Sequence, residues 1–223
     1  MIVIFDLDGT LIDSAPHIHW ATSQALKARG LAPLDLPQIK SFVGRGLPNL
    51  VAQVLDRLGA ADPVLAADLT AEIEALYLER LELNIPYPGA IDALDRLTEM
   101  GASLGICTNK PIAPTRAVLD HLGLTTRFSS IIGGDSLPVR KPDPAPLRAA
   151  IAACGAGPVA YVGDSEVDAE TAHAAGLPFL LYTEGYRKTP LDTLPHSAAF
   201  SDYAELPELA ARFAAGRTSS PQR

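Results

Sequence analysis

Short apolar runs that stop abruptly at a polar residue or a glycine are the feature that most constrains this chain. Five such runs occur, at residues 2–5, 104–107, 131–132, 159–162 and 179–182. Apolar runs this short, with no charged residue among them, are typical of strands buried on both faces of a sheet. Segments with apolar residues at helical spacing precede each of the four later runs, at residues 90–100, 113–122, 144–153 and 167–175. Strands that alternate with helices predict an α/β fold with a doubly wound parallel sheet.

One interval is too long for this alternation. Residues 6–102 separate the first predicted strand from the second, whereas a whole βαβ unit needs only ~30 residues. Apolar residues recur at helical spacing within residues 50–58 and 65–76 of this interval. We therefore expect a helical cap domain at residues 14–84, inserted into an α/β core formed by residues 1–13 and 85–223. Because ligands of such sheets bind beyond the carboxyl ends of the strands, the cap is placed to act as a lid.

The charge balance of the chain argues against a polyanionic partner. The 223 residues include 18 Lys and Arg against 26 Asp and Glu, a formal net charge of −8, whereas nucleic-acid-binding surfaces are basic. No apolar run reaches the length of a membrane span, so no membrane partner is expected either. Cys107 and Cys154 have neither a disulfide framework nor metal-ligand spacing, which favours a reducing cytoplasm. We expect a cytoplasmic protein that is a monomer or a homodimer.

Acidic residues cluster where two of the predicted strands end. Asp6 and Asp8 follow the first strand, and Asp164 and Asp168 follow the fourth. Carboxylates gathered at one edge of a sheet repel one another, so such a cluster needs a cation. Ligand sets made of oxygen alone favour Mg²⁺ over Zn²⁺, and Mg²⁺ is therefore the expected cofactor.

Groups that bind anions follow other strands. Thr108, Asn109 and Lys110 come directly after the second strand, and Lys141 stands in a proline-flanked segment just before a predicted helix. A hydroxyl, backbone amides, an ammonium group and a divalent cation are together typical of a phosphate site. The expected ligand is therefore a small phosphorylated metabolite.

Taken in order, these segments resemble the haloacid dehalogenase-like superfamily of hydrolases over about residues 1–210. The sequence Asp6-Leu7-Asp8-Gly9-Thr10 resembles the first motif of that superfamily. Thr108 matches the second motif, Lys141 the third, and Gly163-Asp164-Ser165 with Asp168 the fourth. The resemblance implies a Rossmann-like core that carries an inserted helical cap, and an enzyme that needs Mg²⁺.

The resemblance also implies a role for each motif residue. Asp6 is the expected nucleophile, which attacks phosphorus to form an aspartyl-phosphate. Asp8 is the expected general acid that protonates the leaving oxygen and then the base that activates water. Thr108 and Lys141 are expected to bind the phosphoryl oxygens as part of the catalytic set, with help from Asn109.

The expected metal ligands come from the same motifs. The resemblance implies that Asp6, the backbone carbonyl of Asp8, and Asp164 hold Mg²⁺. For Asp168 two roles stay open, because it is either part of the metal site or a partner that orients water or Lys141.

The predicted cap contains a candidate for substrate recognition. Arg45 stands between two glycines in residues 41–50, where a tight turn would present its guanidinium to a carboxylate. An exposed surface arginine is the alternative for that position. Together with residues 13–16, 87–89 and 108–111, this segment resembles the phosphoglycolate phosphatase subfamily. That resemblance implies hydrolysis of 2-phosphoglycolate, a phosphoric monoester, with Arg45 near the carboxylate.

Other activities of the superfamily stay open. The presence of Asp8 argues for a phosphate ester as the substrate, because the dehalogenase branch lacks that second aspartate. Alternatives are a phosphatase for sugar phosphates, nucleotides or pyrophosphate, and a β-phosphoglucomutase-like phosphomutase. A module that binds phosphorylated ligands without turnover is a third possibility, against which the intact Asp6 and Asp8 pair argues.

Overall fold

The computed structural model describes residues 1–214. Within that range the strands are β1 (Ile2–Phe5), β2 (Ile12–Asp13), β3 (Ile85–Pro86), β4 (Ser103–Cys107), β5 (Ser130–Ile132), β6 (Val159–Gly163), β7 (Phe179–Tyr182) and β8 (Ala198–Phe200). The α-helices are α1 (Ala15–Ala28), α2 (Leu36–Phe42), α3 (Leu47–Arg57), α4 (Pro63–Leu76), α5 (Ala90–Glu99), α6 (Ile112–His121), α7 (Ala145–Cys154), α8 (Glu166–Ala175) and α9 (Leu206–Ala214).

Six strands form one sheet in the order β5-β4-β1-β6-β7-β8, and every neighbouring pair is parallel. This order reverses direction at β1, as in other doubly wound sheets, so the predicted fold class is confirmed. The five predicted strands all form. β8, a strand of three residues that pairs with β7 through Leu180 and Ala198, was not predicted from the sequence.

The central strand β1 supplies both hydrophobic cores of the sheet. Val3 and Phe5 pack on one face with Leu94 of α5, whereas Ile4 packs on the other face with Leu147 of α7. Successive side chains of a strand point to opposite faces, so an uninterrupted apolar run is required where helices cover both. Burying a side chain of this size contributes about 1.5–3 kcal/mol to the free energy of unfolding.

The helices α1–α4 have a hydrophobic core of their own. Ile18, Leu50, Leu69 and Ile73 are buried together in it. The sequence pattern indicated α3 and α4 but not α1 or α2. At the start of α4, Asp62 accepts a hydrogen bond of 2.7 Å from the backbone amide of Leu65, a cap that typically contributes about 1 kcal/mol. No helix of residues 1–214 is long and apolar enough to cross a membrane.

A two-stranded antiparallel ribbon joins these four helices to the rest of the chain. Ile12 of β2 pairs with Pro86 of β3, and Asp13 pairs with Ile85. The predicted domain limits, residues 14 and 84, stand directly beside this ribbon, and the division into a cap domain and a core stays a prediction. Residues 215–223 of the predicted core lie outside the described residues.

Candidate active site

Three neighbouring strands deliver polar side chains to one edge of the sheet. Because β4, β1 and β6 are parallel and adjacent, Thr108, Asp6 and Asp164 all follow strand ends on the same side. The backbone amide of Asp6 continues the ladder with a 2.9 Å hydrogen bond to the carbonyl of Val162. All three polar side chains are buried, which is costly for charged groups unless partners surround them.

Lys141 is the buried cation of this edge. Its Nζ lies 2.7 Å from Oδ1 of Asp168 and 3.0 Å from Oδ1 of Asp6, and it donates a 3.0 Å hydrogen bond to the hydroxyl of Tyr161. Burial by itself lowers the pKa of Lys141, but the carboxylates of Asp168 and Asp6 outweigh burial and hold that pKa above its ordinary value. The side chain is therefore an ammonium group at neutral pH.

Asp6 is held in a defined orientation. Its Oδ1 accepts a 2.7 Å hydrogen bond from the backbone amide of Leu7, in addition to the contact with Lys141. Burial raises the pKa of Asp6 to about 7, and Lys141 opposes that rise, while Asp168 and Asp8 add to it. Binding of a further cation beside Asp6 would stabilise the ionised form of its carboxylate.

A cation would likewise stabilise the ionised form of Asp164. Its Oδ1 accepts a 2.8 Å hydrogen bond from the hydroxyl of Thr10, and its Oδ2 accepts a 2.6 Å hydrogen bond from the amide of Tyr186. Burial, followed by the charges of Asp168 and Asp6, raises the pKa of Asp164 well above its ordinary value.

The carboxylates of Asp6, Asp164 and Asp168 are all buried, and each offers an oxygen within 4.8 Å of the others. One buried ammonium group does not balance three carboxylates. A hard divalent cation with oxygen ligands fits this donor set, so the residues present fit the Mg²⁺ that the sequence predicts.

Asp168 has little free hydrogen-bonding capacity in this arrangement. Oδ1 accepts from Lys141 at 2.7 Å and from the hydroxyl of Tyr161 at 2.7 Å, and Oδ2 accepts from the amide and the hydroxyl of Ser165 at 3.1 and 2.7 Å. Burial opposes ionisation, but Lys141 and these hydrogen bonds hold the pKa of Asp168 below its ordinary value. Of the two predicted roles, these contacts favour the orientation of Lys141.

Asp8 faces a cleft and pairs with a second buried lysine. Nζ of Lys110 lies 3.0 Å from Oδ1 and 3.3 Å from Oδ2 of Asp8. The cleft is partly open to solvent, and its walls include Asp6, Thr108 and Tyr77. The carboxylate expected to act as nucleophile and the one expected to act as acid and base therefore line one cleft.

Asn109 links two loops across this cleft. Its side-chain amide donates 3.0 Å hydrogen bonds to the backbone carbonyls of Gly44 and Lys141. Asn109 thus joins the loop before α3 to the loop that carries Lys141, and it also lines the cleft. These contacts hold it at the site, and a direct bond to substrate stays a prediction.

Arg45 is directed elsewhere in this structure. Its guanidinium lies 3.5 Å from Oε1 of Glu170 on α8, both side chains are about half exposed, and Arg45 is not among the described residues that line the cleft. The flanking Gly44 and Gly46 do line it, and both have positive φ angles. The structure thus brings the backbone of this turn to the cleft, and a substrate contact by the Arg45 side chain stays a prediction.

Comparison of the sequence with known protein families identifies the family of this chain. The profile of the haloacid dehalogenase-like hydrolases matches residues 1–176, which is most of the chain and spans all four predicted motifs. The chain belongs to the haloacid dehalogenase-like hydrolase family.

Relatives within the family have one recurring name. A protein of Rhodobacter capsulatus named phosphoglycolate phosphatase is 53% identical over 207 residues, covering 92% of this chain and 94% of the relative. One from Cereibacter sphaeroides with the same name is 50% identical over 218 residues, covering 96% and 99%. A crystal structure from Haemophilus somnus, described as a predicted phosphoglycolate phosphatase, has a TM-score of 0.87 at 28% identity and covers 93% and 96% of the two chains. The predicted family, its phosphoglycolate phosphatase-like branch and the class of phosphoric monoester hydrolases are confirmed.

Two glycines allow the backbone to pack closely against the side chain of Asp164. Gly9 has a φ of +83°, and a Cβ there would lie 2.6 Å from Oδ2 of Asp164. A Cβ at Gly185 would lie 2.3 Å from Cβ of Asp164. Any larger residue at either position would displace the carboxylate. The motif sequence singled out Gly9, whereas nothing in the sequence singled out Gly185.

Three residues at the site were given no individual role from the sequence, although Lys110 was included there among the anion-binding groups. The hydroxyl of Tyr161, which is fully buried, accepts a hydrogen bond from Lys141 and donates one to Asp168. The ammonium group of Lys110 forms an ion pair with Asp8. The backbone amide of Tyr186 donates a hydrogen bond to Asp164. The signal for Tyr161 was a hydroxyl inside an otherwise apolar strand, and the signal for Lys110 was its place directly after Thr108 and Asn109. Tyr186 lies in a loop and gave no signal.

Proposed function

We propose that this protein hydrolyses 2-phosphoglycolate to glycolate and inorganic phosphate in a reaction that requires Mg²⁺. The observation that carries the proposal is the pair of carboxylates after β1, in which Asp6 lies 3.0 Å from the Lys141 ammonium and Asp8 faces the same cleft. The names of the relatives that match almost the whole chain support the choice of substrate.

In the proposed reaction a carboxylate oxygen of Asp6 attacks phosphorus and the ester P–O bond breaks. Asp8 gives its proton to the departing oxygen, so glycolate leaves with a neutral hydroxyl, and an aspartyl-phosphate remains on Asp6. Asp8 then takes a proton from water, which attacks phosphorus and releases phosphate and free Asp6. The ammonium of Lys141 and the hydroxyl of Thr108 hold the phosphoryl oxygens through both steps.

Mg²⁺ would be held by Asp6, by Asp164 and by the backbone carbonyl of Asp8. When bound, it offsets the negative charge of the transferring phosphoryl group and of the carboxylates. Asp168 keeps Lys141 charged and in place. Thr10 and the amide of Tyr186 fix the two oxygens of Asp164.

Phosphate release from 2-phosphoglycolate, measured beside a panel of sugar phosphates, nucleotides and pyrophosphate, tests the substrate. We expect turnover with Mg²⁺, none with EDTA, and the highest kcat/KM for 2-phosphoglycolate. Asp6→Asn should abolish turnover, whereas Asp92→Asn, an exposed aspartate of α5, should match the wild-type protein. A hundredfold higher kcat/KM for another metabolite would refute the substrate, and formation of an isomerised sugar phosphate would identify a phosphomutase.

We also propose a cytoplasmic location. Cys107 and Cys154 are both free thiols, which is the state that a reducing compartment maintains. Fractionation of cells that produce the protein tests this, with the phosphatase activity expected in the cytoplasmic fraction.

A further inference from the structure

Lys110 is a buried lysine without an assigned role. It follows β4, and its side chain is 1% exposed. Its Nζ lies 3.0 and 3.3 Å from the two carboxylate oxygens of Asp8 and 4.9 Å from the centre of the Tyr77 ring. A buried ammonium group is costly unless partners surround it, and both of these partners line the cleft.

The two buried lysines stand on different sides of the reaction. Lys141 contacts Asp6, the proposed nucleophile, which places it on the side of the phosphoryl group. Lys110 contacts Asp8, the group that would protonate the departing oxygen, which places it on the side of the leaving group. Of the described residues that line the cleft, Lys110 is the one that carries a positive charge.

We propose that Lys110 recognises the carboxylate of the leaving group and so selects esters with an anionic leaving group. The inference rests on the proposed function, in which the leaving group is glycolate. In 2-phosphoglycolate one methylene separates the ester oxygen from the carboxylate, so a cation beside Asp8 is within reach of it. An ammonium group has three N–H donors; two are accounted for by the oxygens of Asp8, which leaves one for substrate.

The surroundings of Lys110 strengthen such a contact. Ile18, Leu50 and Tyr77 supply apolar walls to the cleft, and a charge pair is stronger in surroundings of low dielectric constant than in bulk water. Arg45, in contrast, is half exposed and paired with Glu170. These contacts favour Lys110 over Arg45 as the partner of the carboxylate.

The test compares two esters that differ in the carboxylate alone. Ethyl phosphate has a methyl group where 2-phosphoglycolate has its carboxylate. The quantity to measure is the preference, defined as kcat/KM for 2-phosphoglycolate divided by kcat/KM for ethyl phosphate. Loss of the contact between Lys110 and Asp8 should lower kcat/KM for both esters by the same factor, because Asp8 acts on the ester oxygen that they share. That factor cancels in the ratio. We expect Lys110→Met to lower the preference about 10- to 100-fold, the range for a hydrogen bond to a charged group.

Four further variants complete the design, and the first of them, Arg45→Met, tests the alternative partner of the carboxylate. Lys110→Arg keeps the charge and should retain most of the preference. Lys110→Gln provides the same comparison with a polar side chain if Lys110→Met fails to fold, as judged by circular dichroism. Lys27→Met, at an exposed lysine of α1, should match the wild-type protein.

The outcomes separate the two proposals. If the wild-type protein prefers 2-phosphoglycolate and the Met and Gln variants keep that preference, the assignment of Lys110 is wrong while the proposed function stands. If Arg45→Met alone lowers the preference, the carboxylate belongs to Arg45. If the wild-type protein has no preference between the two esters, the proposed substrate is wrong and the role of Lys110 falls with it.

Discussion

Tyr186 holds Asp164 with its backbone and the start of α1 with its side chain. The amide of Tyr186 donates a 2.6 Å hydrogen bond to Oδ2 of Asp164. Its hydroxyl donates to Oδ1 of Asp13 at 2.6 Å and accepts from the amides of Ser14 and Ala15 at 2.8 and 2.9 Å. Burial raises the pKa of Tyr186, so the phenol stays protonated and keeps its role as a donor. One loop residue thus connects a proposed metal ligand with the first inserted helix.

Tyr186→Phe should separate these two connections. Loss of the hydroxyl removes the acceptor of the Ser14 amide and leaves the Ala15 amide with Oδ1 of Asp13 at 3.2 Å, so we expect the free energy of unfolding to fall by about 1–3 kcal/mol. The amide that binds Asp164 is unchanged, and the Mg²⁺ dissociation constant should stay within about threefold. Urea denaturation and calorimetric titration measure the two quantities. Tyr182→Phe, in β7, is the control, and a variant of normal stability that has lost Mg²⁺ binding would contradict this division.

Lys141→Met should destabilise the protein more than other substitutions at the site. It leaves the buried carboxylates of Asp6 and Asp168 without their cation, and breaking a buried ion pair of this kind costs about 3–5 kcal/mol. Urea denaturation in EDTA measures the loss. Lys141→Arg should recover part of the stability. Equal stability of the Met variant and the wild-type protein would mean that Lys141 does not neutralise these carboxylates.

The stability of the metal-free protein should fall as the pH rises towards 7. The pKa of Asp6 is about 7 in the folded protein against 3.8 for the free group, and that of Asp164 is also raised. Folding therefore favours the protonated acids, so their contribution is complete below about pH 4 and is lost as the pH rises through the folded pKa. Calorimetry in EDTA should give a melting temperature that falls between pH 5 and 7.5.

Two conditions check that origin of the pH dependence. Asp6→Asn removes one of the two acids and should make the melting temperature less dependent on pH. Saturating Mg²⁺ should remove most of the decline, because the cation stabilises the ionised carboxylates. A decline of the same size in all three samples would place the responsible groups elsewhere in the protein.

Thr10→Val should weaken Mg²⁺ binding without removing a ligand. The hydroxyl of Thr10 orients Oδ1 of Asp164, and loss of such a supporting hydrogen bond typically costs about 10- to 100-fold in metal affinity. Titration calorimetry measures the dissociation constant. Thr98→Val is the matched control, since that hydroxyl bonds only to the carbonyl of Leu94 within α5 among the hydrogen bonds described. Unchanged Mg²⁺ affinity in Thr10→Val would remove Asp164 from the proposed ligands.

The sequence predicted those parts of the molecule that depend on local pattern. The apolar run of β1 and the polar residues just after it indicated both the sheet and the edge where Asp6 lies, because the end of a buried strand is also the edge of the sheet. β8 was not predicted, because alanine, which fills two of its three positions, is depleted in strands. Its place depends on pairing with Leu180 of β7.

The features that the sequence did not predict depend on contacts between distant parts of the chain. Whether Arg45 or Lys110 faces the cleft depends on Glu170 and Asp8, which lie far from them in the sequence. A loop arginine between glycines has the same local pattern in either case. The role of Tyr186 likewise depends on Asp13 and Asp164, which only the folded chain brings together.

Because β2 and β3 pair with each other, the chain enters and leaves the segment of inserted helices at the same point. Ile12 and Pro86 are paired neighbours, so the segment between them begins and ends at the same place. Such a segment can be lengthened, shortened or replaced whole while the order of strands in the sheet stays the same. A change in the inserted helices therefore alters the cleft walls that Ile18, Leu50 and Tyr77 supply, while the strands that precede Asp6 and Asp164 keep their places in the sheet.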